Sequence, residues 1–230
     1  LTSDTSSVSS TQSTSSHCNF EALDFSNNLS LVHYNVQSIK HKLDIIYSEL
    51  YGFDILTFTE TWLDDSVSTD DMMLPSFNKP ERKDRIGDNH GGVMLFIKDT
   101  IHYKRRHDLE INPLECIWVD ILLNNKRLLL GLFYRPPSSS SVYTNIIEDS
   151  INLAVDTGIK DIIITGDLNF NMLSNTSSTK IDNLCQQLGL YQTITEPTHY
   201  TENSKSLIDI LLLSNKNSLI TCGVAEPFLN

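Results

Sequence analysis

The sequence predicts a mixed α/β sandwich, and three observations carry that expectation. Short apolar runs of strand length alternate with segments of helical periodicity. Two of those runs, Cys116 to Leu123 and Lys126 to Tyr134, are joined only by Asn124-Asn125, a dipeptide that tolerates positive φ and suits a tight hairpin. A third run, Ile162-Ile163-Ile164-Thr165, is too short for a helix and reads as a buried strand that stops at Gly166. Hairpins mixed with single helices exclude a uniformly parallel sheet.

Along the chain, Ser or Thr fills twelve of the first sixteen positions. Such a segment cannot bury enough apolar surface to offset its ordering entropy, so 1–28 reads as a disordered tail and 29–230 as one domain. Ser30 to Tyr34 reads as a strand. Ile39, Leu43, Ile46, Tyr47 and Leu50 follow helical spacing, with Ser38 placed to cap the start and Gly52 the end. Asp54 to Thr59 is a second strand, ending at Glu60. Gly92 to Lys98 alternates around Val93, Leu95 and Ile97, and the hairpin follows. Val142 to Val155 carries Ile146, Ile147, Ile151 and Ala154 on one helical side. Ile181, Leu184, Cys185 and Leu188 make a third helix, stopped by Gly189. Leu207 to Leu213 is a further strand and Leu219 to Val224 the last.

Composition narrows the class. With 230 residues, 40% of them hydrophobic, the chain can bury a sizeable core. No apolar run approaches the roughly 20 residues of a membrane span. The N-terminus has neither a basic start nor an apolar stretch, so no signal peptide is expected and the location reads as intracellular, nuclear or cytoplasmic. Cys18, Cys116, Cys185 and Cys222 lack Cys-x-x-Cys spacing, which points to neither zinc nor a disulfide framework. Cys116 and Cys185 fall in apolar patterns and read as buried thiols. A net charge of −12 argues against a generic nucleic-acid binder. From Lys79 to Arg106, however, eight basic residues stand against four acidic ones. That stretch reads equally as a phosphate-facing segment or as a solvated loop of mixed charge.

The polar residues at the ends of these apolar runs are the chemical signal. Asn35 follows the first strand and Glu60 the second. Tyr134 closes the hairpin's return strand, Asp167 and Asn169 follow the next, and Asp209 sits within Ser206-Leu207-Ile208-Asp209-Ile210-Leu211. Each has a duller explanation alone: Asp-Leu-Asn after glycine is commonly a turn, Glu60 could open an exposed loop, and Tyr134 could be core packing. Asp209 is harder to dismiss, because a carboxylate among large aliphatics is rarely buried without a partner. If the strand ends meet at one edge, they line a cleft with three carboxylates, two amides and a phenol. Clustered carboxylates are costly unless a cation sits between them. Hard oxygen donors favour Mg²⁺, or Mn²⁺, over zinc. An Asp/Asn pair suits phosphate chemistry: the carboxylate can orient or deprotonate a water, and the amide can donate to a phosphoryl oxygen.

In order, Tyr34-Asn35-Val36-Gln37-Ser38, Phe58-Thr59-Glu60-Thr61-Trp62-Leu63, Gly91-Gly92-Val93, Tyr134-Arg135-Pro136-Pro137, Gly166-Asp167-Leu168-Asn169 and Ser206-Leu207-Ile208-Asp209 resemble the endonuclease/exonuclease/phosphatase superfamily. More narrowly they resemble the apurinic-endonuclease-type domain of non-LTR retrotransposon polyproteins, over about Leu31 to Val224. The resemblance implies a four-layered α/β sandwich, two packed mixed sheets flanked by helices, with the site at one edge. It implies Glu60 as principal metal ligand with Asn35 beside it, and Asp167 as the residue that positions and activates water. Asn169 would donate to phosphate, Tyr134 would contact phosphate and settle developing charge, and Asp209 would orient a catalytic histidine. Ser206 and Arg135 are placed at the substrate, and Thr198 or Thr201 could match a further site threonine. The implied activity is Mg²⁺-dependent nicking of DNA, with a reverse transcriptase domain downstream in the full polyprotein.

Two alternatives stay open: a phosphatase or phosphodiesterase acting on another phosphate ester, and a catalytically dead remnant that binds nucleic acid. The resemblance also implies a closing motif with the catalytic histidine after the last strand. The chain ends Glu226-Pro227-Phe228-Leu229-Asn230 without it, so the domain is expected to lack its last segment and to be weak or inactive as given. None of the seven histidines is in the expected place; His199 and His33 come nearest, and both read as ordinary polar positions.

Overall fold

The structure is a computed structural model describing residues 28–229 other than 89, with the side chains of 175–178 also outside the description. The expected tail and Cys18 lie outside the described residues.

Among the described residues the strands and α-helices follow in the order β1 (Leu31–Asn35), α1 (Leu43–Leu50), β2 (Ile55–Thr59), β3 (Glu81–Lys83), β4 (Val93–Ile97), β5 (His102–Arg105), β6 (Glu115–Leu123), β7 (Lys126–Tyr134), α2 (Ser141–Asp156), β8 (Asp161–Asp167), α3 (Asn175–Leu188), β9 (Tyr191–Gln192), β10 (His199–Tyr200), β11 (Lys205–Ser206) and β12 (Asp209–Leu213). One sheet has four strands in the order β1-β2-β4-β3, and the other has six in the order β5-β6-β7-β8-β12-β9. The β10–β11 pair forms a separate small hairpin. Both large sheets are mixed: β1–β2 and β7–β8 are parallel, and the remaining pairs antiparallel.

Side-chain alternation along the strands produces the layers. Ile55, Val93, Leu95 and Ile97 of the four-stranded sheet face Ile117, Val119, Ile121, Leu130 and Leu132 of the six-stranded sheet. Their sequence neighbours Leu56, Phe58, Met94 and Phe96 point the other way, against Ile46 and Leu50 of α1. On the far side of the six-stranded sheet, Trp118, Leu129, Phe133, Ile162 and Ile164 pack against Ile147 and Ile151 of α2 and Ile181 and Leu184 of α3. The result is the expected helix–sheet–sheet–helix sandwich, and the central strands are continuously apolar because both of their faces are buried. Each such side chain contributes about 1.5–3 kcal/mol by leaving water.

Several local expectations are corrected. Ser38 does not cap α1. It sits in a tight turn at φ +78, and the helix starts at Leu43 after Lys42, with no side-chain cap. Gly52 is not a left-handed terminator either, since α1 ends through Tyr51 at φ −58. Gly189 does close α3 in the left-handed region, at φ +64. Leu219 to Val224 forms no strand; β12 is followed by a 3₁₀ turn at Lys216–Ser218 and irregular chain. That chain crosses to the other face of the sandwich, where Phe228 and Leu229 pack with Tyr34 against the α1 side. Among the described residues no helix is long and apolar enough to cross a membrane.

Register brings the strand ends together. Asn35 pairs with Thr59 at the last position of the parallel β1–β2 ladder, so Glu60 emerges beside Asn35. Tyr134 pairs with Asp167 at the last position of β7–β8, and Asp209 pairs with Asp167 at the start of β12.

Candidate active site

Six sequence-predicted residues meet at this edge. The Asn35 amide is the link: its Nδ2 donates to Glu60 Oε1 at 2.9 Å and to Asp167 Oδ2 at 3.1 Å, joining groups from both sheets. The Tyr134 hydroxyl donates to the same Glu60 oxygen at 3.2 Å. Asp167 accepts at its other oxygen from the backbone N–H of Asn169 at 2.8 Å, and Asn169 Nδ2 donates to the Arg135 carbonyl at 2.9 Å. Asp209 stands next to Asp167 across the ladder.

The backbone is held in uncommon conformations to achieve this. Glu60 and Asn169 lie at φ +54 and +52. Such left-handed non-glycine residues cost on the order of 1–3 kcal/mol each and cluster where a side chain must be aimed. Gly166, at φ +137, is obligatory: a Cβ there would lie 1.8 Å from the Phe133 carbonyl oxygen. The close approach of β7 and β8 at that point sets Asp167 beside Tyr134.

Electrostatics separate the two acids that titrate unusually. Burial, then the neighbouring Asp209 charge, pushes the Asp167 carboxyl up to about 8, against the hydrogen bonds from Asn169 and Asn35. Burial and the charges of Glu60 and Asp167 raise Tyr134 well beyond its ordinary value. The phenol therefore keeps its proton at neutral pH and has it to donate.

The remaining expected residues are placed differently. Arg135 does not reach the cleft. Its guanidinium is buried, lies 4.1 Å from the Phe170 ring centroid, and donates to Ser139 O at 2.8 Å and Leu168 O at 3.4 Å. It braces the loops after β7 and β8 from behind, which corrects its assignment to substrate. Ser206 contributes its backbone, accepting from Thr198 N at 2.9 Å within the β10–β11 region. Thr198 Oγ1 accepts from the amides of Ile208 and Asp209 at 3.1 and 3.2 Å and so fixes the start of β12, whereas Thr201 belongs to the hairpin turn with Ser204.

The basic stretch is neither a free phosphate-facing face nor a loose loop. Part of it forms β3 and β5, and six of its eight cations are ion-paired: Lys79 with Asp70, Arg82 with Asp84, Lys83 with Glu110, Arg85 with Glu115, Arg105 with Glu81 and Glu110, and Arg106 with Asp108. A depression of about 430 Å³ is lined by Lys79, Glu81, Arg82, Tyr103 and Arg105, and each of its three cations is ion-paired.

Two features were not anticipated. Arg85 packs 5.4 Å from the Tyr134 ring centroid while its Nε donates to Glu115 Oε1 at 2.8 Å; Glu115 Oε2 in turn accepts from Gly92 N at 2.5 Å. This network docks Arg85 and Gly92 against the back of the tyrosine. The second is His33, whose Nε2 lies 3.3 Å from Asp209 Oδ1. Its signal was available: His33 and Asn35 are two apart on one strand and share a face.

The donor set suits a hard cation held loosely. Asn35 Oδ1 is buried and has no hydrogen-bond partner among the described residues, and the Glu60 carboxylate is adjacent. Among the described residues no group of three or more His, Cys, Asp and Glu side chains is arranged to hold a metal by itself. One carboxylate and one amide oxygen are hard donors of the kind a divalent cation takes.

The layering and the edge-on cleft define an α/β sandwich of the phosphoester-hydrolase type. The profile of the endonuclease/exonuclease/phosphatase family matches residues 32–228, and the chain belongs to that family. Its members include nucleases and phosphatases, which are hydrolases. The endonuclease domain of TRAS1, a telomere-specific non-LTR retrotransposon, is similar, with a TM-score of 0.63, 16% identity, and coverage of 80% of this chain and 83% of that one. The 3′-5′ exonuclease NExo from Neisseria meningitidis gives 0.61 and 13%, over 81% and 87% of the chains. The mannosyl-6-phosphatase Bt3783 of Bacteroides thetaiotaomicron gives 0.54 and 14%, over 82% and 86%. At these identities the likenesses show the fold. No curated protein matches by sequence.

Proposed function

We propose that this domain is a divalent-cation-dependent phosphodiesterase that nicks DNA, of the kind found in non-LTR retrotransposon polyproteins. The observation that carries the reading is the Asn35 amide bound at once to Glu60 and Asp167, which makes one constellation of residues far apart in sequence. Glu60 and Asn35 would hold Mg²⁺ or Mn²⁺. Bound there, the ion would supply positive charge to a phosphoryl oxygen and favour the ionised form of the buried Asp167.

The chain's own groups do the rest. Asp167, aimed by Asn35 and the Asn169 amide, orients a water and takes its proton. Tyr134 presents an O–H to an anionic oxygen. The Asn169 side chain is pinned by one amide hydrogen to Arg135 O, which leaves the second to donate to phosphate. The similarity to the endonuclease domain of the TRAS1 retrotransposon supports nucleic acid as the substrate class; a reverse transcriptase as partner in a longer polyprotein belongs to the proposal. For the domain completed with the closing histidine motif that the resemblance implies, the expected outcome is Mg²⁺-dependent relaxation of supercoiled plasmid that EDTA stops and that Glu60→Ala or Asp167→Ala abolishes. Equal nicking by the Asp167→Ala protein refutes the roles.

A second reading, a phosphatase or phosphodiesterase on a small phosphate ester, is favoured by the net charge of −12 and by the ion-paired state of the basic stretch. Release of inorganic phosphate from small monoesters without plasmid nicking would select it.

A further inference from the structure

His33 is fixed at one nitrogen and aimed with the other. The Thr57 hydroxyl stands 3.1 Å from His33 Nδ1 and 2.9 Å from the Val32 carbonyl; when its single proton goes to Nδ1, the ring's own proton lies on Nε2. That bond sets the ring's tautomer and plane. The opposite nitrogen faces Asp209 Oδ1 at 3.3 Å, with the two side chains 9% and 21% exposed. An Nε2–H there turns its positive end to the carboxylate, the alignment falls short of a hydrogen bond, and neither atom has a hydrogen-bond partner among the described residues.

Asp209 is otherwise held through its backbone, by the ladder to Asp167 and by Thr198. Those contacts leave its carboxylate free to turn. Two carboxylates at facing positions of an antiparallel pair repel, and the exposed one swings toward water unless something retains it. His33 reaches that carboxylate from the opposite sheet.

We propose that His33 is a positioning residue: its Thr57-locked ring retains the Asp209 carboxylate beside Asp167, across the gap between the sheets. The inference rests on the phosphoester-hydrolase reading of the site. The ring is too enclosed to meet substrate itself, so it acts through Asp209.

The test compares His33→Leu, His33→Gln and Thr57→Val in the whole chain. Turnover with Mg²⁺, unfolding temperature and crystal structures are all read. His33→Leu is expected to lower kcat at least tenfold with KM within twofold. Thr57→Val, which frees the ring, gives a smaller loss in kcat, and His33→Gln recovers part by returning a polar group. In an Asp209→Asn background His33→Leu adds less than twofold, because the group it retains is already altered. The crystal structures keep the outcome independent of substrate. A displaced Asp209 carboxylate in Thr57→Val or His33→Leu supports positioning even if the wild-type protein cleaves no tested ester, a result that counts against the functional reading alone. An unmoved carboxylate overturns the proposal. So does unchanged kcat in His33→Leu beside an active wild type, or independent multiplication of the His33 and Asp209 effects.

Discussion

Asp167→Asn should convert a pH-sensitive protein into a flatter one. In the metal-free fold the Asp167 carboxyl titrates near 8 instead of 3.8, because it is buried and faces Asp209. Between those values the folded state holds a proton that the unfolded chain has released. Stability therefore falls as pH rises: the penalty is absent below about pH 4 and complete above about pH 8. Each pH unit within the window costs about 1.4 kcal/mol, so the full span has an upper limit of roughly 6 kcal/mol. Relaxation and water entry around a buried carboxylate reduce the expected figure to about 2–4 kcal/mol.

Asparagine has nearly the same shape and no charge. It offers one oxygen where Asp167 accepts from both Asn35 and the Asn169 amide, so the variant gives up one hydrogen bond, about 1 kcal/mol. Below about pH 5 it should be slightly the less stable protein, and above pH 7 the more stable. Urea unfolding in EDTA from pH 5 to 8.5 reads both curves. Parallel curves, with no crossing, would refute the assignment of the burial penalty to Asp167. Repeating the series in excess Mg²⁺ should flatten the wild-type curve.

Three further outcomes follow from geometry. Gly166→Ala should lose several kcal/mol of stability or fail to fold, read as a fall in unfolding temperature, because its Cβ would sit inside the Phe133 carbonyl. Tyr134→Phe removes the O–H that donates to Glu60 while preserving the ring between Arg85 and the inter-sheet core. Its kcat should fall on the order of a hundredfold with little change in unfolding temperature. Ser150→Ala strands the Trp118 indole N–H, which donates to Ser150 Oγ at 2.9 Å, together with the Leu109 carbonyl. The expected cost is about 1–3 kcal/mol in chemical denaturation, with kcat unchanged.

The layered fold was readable because its central strands are long and wholly apolar, as in Val93 to Ile97 and Ile162 to Ile164. Asn35, Glu60, Tyr134 and Asp167 were readable because each interrupts such a run at its end. What escaped did so for physical reasons. β3 and β5 are short and charged, and tertiary ion pairs such as Arg105 with Glu81, not periodicity, make them strands. Arg135 follows Tyr134 directly, and adjacent side chains on an extended chain leave on opposite sides, so motif membership misplaced it. His33 obeyed the same rule in reverse: the spacing to Asn35 puts it on the same face, but its partner Asp209 lies on the other sheet and is not given by that spacing. Ser38 resembled a cap, but the turn at Gln37 and Ser38, both at positive φ, delays the helix to Leu43.

The inter-sheet layer has a consequence beyond holding the molecule together. Asn35 and Glu60 ride on one slab, while Tyr134, Asp167, Asn169 and Asp209 ride on the other. Filling between the slabs, from Ile55 to Leu132, thus acts as the spacer of a two-jaw tool. Shaving a methyl from that filling, far from any reacting atom, would change how the jaws meet before it changed whether the protein stays folded.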